Sequence, residues 1–69
     1  MISRNTQKQF GVKDVEGYFD KMVQEYLEGN YPVAILMFAN TSREERKVFF
    51  KAIIGKEDID VVHYFIDLL

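Results

Sequence analysis

Between Val15 and Leu27 the apolar residues fall three or four apart: Val15, Tyr18, Phe19, Met22, Val23, Tyr26 and Leu27. That spacing lines one face of an α-helix, and Glu16, Asp20, Lys21, Gln24 and Glu25 take the other directions. Asp14 is a good N-cap, and Gly29, with Asn30 beside it, tolerates the left-handed geometry that closes a helix. The pattern predicts a helix over 14–28.

The next stretch, Pro32-Val-Ala-Ile-Leu-Met-Phe-Ala39, contains no polar side chain. Asn30 can cap a second helix, Pro32 suits its first turn, and Asn40 ends it. A strand is the poorer reading, because only Val33 and Ile35 are β-branched and no second run is available to pair with it. A helix that is apolar all round is expected to be enclosed by others. Leu36 and Phe38 should therefore both lie in the core.

A third helix has the best start signal. Thr41 and Ser42 each precede a glutamate by three residues, Glu44 and Glu45, so either can form a capping box. The acidic pair also sits at the positive end of the helix dipole, and Arg46, Lys47 and Lys51 follow. Phe49, Phe50, Ile53 and Ile54 form its inner face, and Gly55 ends it.

A fourth helix starts near 56–58 and runs to the end of the chain, although Val61, Val62 and Ile66 keep a strand open as an alternative. Its apolar residues cover more than one face. Ile59, Val62, Ile66 and Leu69 make one stripe; Val61, Tyr64, Phe65 and Leu68 make its neighbour. With the second helix enclosed, one of these stripes should face a partner, and Val61, Tyr64, Phe65 and Leu68 are the candidate interface.

Residues 1–12 are polar without a clear period and are expected to be a flexible arm, anchored by Phe10 and ended by Gly11. The expected architecture is all-α: a compact bundle of three to four short helices over 13–69, as a single domain. The segment EYLEGNYPVAILMF resembles the turn between the paired helices of a tetratricopeptide repeat. The repeat's period of about 34 residues is absent, so the resemblance implies a helical hairpin and no kinship.

Composition sharpens this. A chain of 69 residues buries only about 60% of its unfolded surface and is marginal alone. It has no cysteine and one histidine, so no disulfide, no thiolate site and no four-ligand zinc site is expected, and no cofactor. Dense apolar packing or self-association must compensate, and 48% of the residues are hydrophobic. No apolar run approaches the roughly 18 residues of a membrane span, and MISRNTQKQF lacks the apolar core of a signal peptide. A cytoplasmic protein without membrane contact is the expectation.

Candidate chemistry is sparse. His63 has Asp60 and Asp67 at i−3 and i+4, but no nucleophile or oxyanion site accompanies it. An ordinary helix histidine is the favoured reading, and no enzyme is expected. Glu57, Asp58 and Asp60 do not make a calcium loop, because Ile59, Val61 and Val62 break the ligand alternation. Asn40-Thr41-Ser42 matches the N-glycosylation pattern and is better explained by capping.

Arg43, Lys47 and Lys51 form an i, i+4, i+8 stripe with Arg46 beside it. Together with the short turn before it, this candidate basic face has the outline of a helix-turn-helix. Glu44 and Glu45 stand at the end that would approach phosphates, and the net charge is −2, so nucleic acid ranks second. The first expectation is a non-enzymatic protein–protein interaction or regulatory module. Its partner is a second copy or a host protein, in the manner of small bacterial, phage or plasmid accessory proteins that modulate a larger complex.

Overall fold

The computed structural model describes Met1–Leu69 and contains five helices and no strand. They are α1 (Arg4–Gln9), α2 (Val15–Leu27), α3 (Tyr31–Ala39), α4 (Arg43–Ile53) and α5 (Ile59–Asp67). The all-α bundle is as expected, with one helix more.

Local chemistry sets the boundaries. The Asp14 carboxylate accepts the Gly17 N–H at 2.6 Å and opens α2. At α4 the Ser42 hydroxyl accepts the Glu45 N–H, while the Glu45 carboxylate accepts the Ser42 N–H, a complete capping box. Gly29 and Gly55, with φ of 84° and 86°, take the left-handed turns that follow α2 and α4. Asn30 holds the N-cap position of α3 without capping it; its side-chain amide donates to Glu25 instead.

The core is strongly aromatic. Phe49 of α4 is fully buried, with ring centroids 5.3 Å from Phe19 of α2, 6.3 Å from Phe38 of α3 and 5.0 Å from Phe65 of α5. Around it pack Tyr18, Met22 and Val23, Ala34 and Met37, Ile53, and Val61 and Val62. Edge-to-face pairs such as Phe49–Phe65, at 83°, add about 0.5–1.5 kcal/mol each beyond the area they bury.

Residues 1–12 are not a loose arm. Ser3 caps α1, and Ile2 and Phe10 clamp the segment at either end. Ile2 is only 4% exposed, and the Phe10 ring meets Tyr18 edge-on at 5.6 Å. The helix between them buries nothing itself, so it carries no apolar period to read.

The enclosed helix is not α3. Phe38, Met37 and Ala34 enter the core, but Leu36 is 49% exposed, against the expectation. A nine-residue helix at the edge of a bundle touches the core along one strip only, whatever its other faces carry.

Candidate interaction surface

The outward side of α3 follows from which of its residues point in. Ala34, Met37 and Phe38 face the core. At about 100° per residue, Pro32, Leu36 and Ala39 stand diametrically opposite, with Ile35 and Tyr31 on one flank and Val33 on the other. All six are solvent-exposed. No residue from Tyr31 to Ser42 carries a charge, so nothing on this face snorkels or repels.

At the start of the helix the face runs into a tyrosine cluster. Tyr31 lies 5.6 Å from Tyr26 and 5.8 Å from Tyr64, and Tyr26 and Tyr64 stack at 4.3 Å. Three of the four tyrosines of the chain thus meet at one surface. Burial raises the Tyr64 phenol above its ordinary pKa, with the neighbouring Tyr26 and Tyr31 adding to the shift.

The opposite end is held by Arg46. Its guanidinium lies 4.6 Å above the Phe38 ring. Its Nε donates to the Thr41 hydroxyl oxygen at 2.8 Å and its Nη2 to the Phe38 carbonyl at 3.3 Å. The buried Thr41 hydroxyl also donates to that carbonyl. A cation at the last carbonyls of a helix offsets its negative end.

The expected site residues are dispersed by the fold. Val61 and Phe65 are core residues, and Tyr64 and Leu68 are half-buried against it, so the candidate stripe on α5 points inward. Ile59 and Ile66 of α5, and Leu69 just beyond it, are the exposed apolar residues; they belong to the neighbouring stripe, whose Val62 is buried. Exposed Asp60, His63 and Asp67 flank them. The two stripes are equally apolar in sequence, and only the helix rotation distinguishes them.

In the candidate basic face, Arg43, Lys47 and Lys51 are exposed, whereas Arg46 is committed to α3. Arg43, Arg46 and Lys47 line an open groove of about 340 Å³ with Phe50 and Leu69. Lys47 makes a loose ion pair with Glu44 at 3.8 Å, and Arg43 makes none. The His63 side chain is exposed and makes no ion pair with the Asp60 or Asp67 carboxylate.

A second groove, of about 250 Å³, lies between α2 and α4 over Phe19, Val23 and Ile53, with Lys56 and Asp20 3.7 Å apart at its edge. No sequence signal marked it, because it arises from the gap between two helices. No helix is long and apolar enough to cross a membrane, and no His/Cys/Asp/Glu group is placed to hold a metal ion. No family model, curated protein or solved structure matches the chain.

Proposed function

We propose that the protein works by binding another protein chain, without catalysis, and that the outward face of α3 is its docking surface. The observation that carries this reading is the exposure of Tyr31, Val33, Ile35 and Leu36, between 36% and 49%, on a helix without a single charge. A contiguous exposed apolar patch is uncommon on a soluble monomer unless it serves an interface. Tyrosine at its edge suits the same role, being apolar in body and polar at the tip. A photoreactive benzophenone side chain in place of Leu36 tests it in cells that naturally carry the chain. Crosslinks to protein are expected from position 36 and not from position 51. Equal or absent labelling at the two positions would contradict the docking face.

A second reading uses the groove of Arg43, Arg46 and Lys47 for nucleic acid. What favours it is three cationic side chains around the half-buried Phe50 with no acidic side chain in the lining. It requires binding that falls steeply with salt, and a Lys47→Ala/Lys51→Ala variant with a shallower salt slope. Binding indifferent to either would remove it.

A further inference from the structure

The groove between α2 and α4 is separate from the docking face: no residue of Tyr31–Ala39 lines it. Its α2 side includes Glu16, Asp20, Val23 and Leu27, spaced by three and four residues, so it follows that helix for almost its whole length. From Glu16 to Leu27 is about 16 Å at 1.5 Å per residue, or roughly three helical turns. Phe19, Val23 and Ile53 are core residues whose edges form the floor. Leu27, 58% exposed, and exposed Ala52 supply the apolar surface that water still reaches. At about 250 Å³ the groove is smaller than the roughly 300–1,000 Å³ of a small-molecule pocket, and it suits side chains presented by another chain.

The rim decides which chain. It carries three carboxylates, Glu16, Asp20 and Glu57, against one ammonium, Lys56. Lys56 lies 3.7 Å from Asp20, while Glu16 and Glu57 are in no ion pair. Two acidic groups are therefore left to meet the cations of a partner. The same rim repels phosphates, which disfavours nucleic acid and anionic lipid at this groove. Both walls are helical, and an amphipathic helix laid along a groove is the recognition mode that fits them. Its apolar residues at i, i+3 or i+4, and i+7 would reach the floor, and its lysines or arginines the rim. Exposed charges add little affinity, so their part is to select the partner.

We infer that this groove is a second docking site, and that its occupant is a basic amphipathic helix of another protein, about three turns long.

The probe is a synthetic helix of leucine and lysine about four turns long, with its leucines on one face. One control replaces lysine by glutamate, and another keeps the composition but scatters the leucines. In fluorescence anisotropy at about 50 mM salt the lysine helix is expected to bind at least about tenfold more tightly than either control. Glu16→Gln/Glu57→Gln should weaken it on the order of tenfold, from two exposed contacts worth a few-fold each. Leu27→Gln should weaken it as well, and Leu36→Lys should leave it unchanged. All these side chains but that of Glu57 are exposed, and circular dichroism of each variant should match wild type. Backbone amide shifts on adding the lysine helix should centre on residues 16–27 and 52–57. No binding at about 100 µM, or equal binding of either control, would overturn the inference. So would binding that Glu16→Gln/Glu57→Gln leaves intact, or that Leu36→Lys abolishes with amide shifts centred on residues 31–39.

Discussion

Both carboxylate oxygens of Glu45 lie within hydrogen-bonding distance of the Ile2 backbone N–H, at 3.1 and 3.0 Å. The same carboxylate accepts the Ser42 N–H at 2.8 Å, so one side chain caps α4 and fastens the N-terminal segment to it. Burial works to raise its pKa, but hydrogen bonds from the Ser42 and Ile2 backbone and from Ser42's side chain outweigh that, and the group is held below its ordinary value. A depressed carboxylate contributes stability above the unfolded pKa, near 4.5, and loses it as pH falls through the folded value. Glu45→Gln should cost about 1 kcal/mol or more at pH 7. Urea melts from pH 7 to pH 3 check this: the gap between wild type and variant should close on acidification. A gap independent of pH would exclude the charged role.

Tyr18 links α2 to α3. Its hydroxyl, fully buried, donates to the Met37 carbonyl at 2.6 Å. Burial, with a contribution from the charge of Glu45, pushes its phenol up to about 12. A raised phenol contributes stability below the unfolded value near 10 and loses it as pH climbs towards 12. Tyr18→Phe is expected to cost about 1 kcal/mol at neutral pH. In an absorbance titration of the wild type, one phenol of the four should ionise last, together with loss of helicity. Four phenols ionising together in the folded protein would contradict this.

Phe49 touches rings from α2, α3 and α5, so it is the residue whose loss the domain can least absorb. Phe49→Ala should cost about 3–5 kcal/mol, enough to unfold a marginal chain of this length at room temperature. Phe38→Ala, 2% exposed in the wild type, should behave similarly. Circular dichroism reads both, and a folded Phe49→Ala would place the core elsewhere.

The basic residues of α4 should separate by role. Arg46→Ala removes the stack on Phe38 and two hydrogen bonds at the end of α3, and should lower stability by about 1–2 kcal/mol. Arg43→Ala and Lys51→Ala should stay within about 0.5 kcal/mol. Thermal melts at one salt concentration compare all three.

The helices were legible because their punctuation is local. Asp14, Ser42 with Glu45, and Gly29 act on residues within a turn of themselves, and each does so in the fold. What faces what was less legible. Residues 31–39 carry no polar mark to tell inside from outside, so Leu36 and Phe38 read alike although one is exposed and the other buried. Val61 and Phe65 on α5 had the same ambiguity against Ile59 and Ile66. Ile2 is a single apolar residue in a polar segment, and its partner Glu45 is distant in sequence, beyond any periodic pattern. The exposure of the outward side of α3 was hidden for the same reason, since uniform apolarity suggested enclosure.

The central claim is that one face of α3 is surplus to folding. The unfolding free energy of Leu36→Lys, measured by denaturant titration at a concentration where copies do not associate, tests it most directly. The value should lie within about 0.5 kcal/mol of wild type, because a side chain 49% exposed on a charge-free face loses little when it becomes a lysine. A loss of about 2–5 kcal/mol would mean that Leu36 belongs to the core and that α3 has no free face to offer.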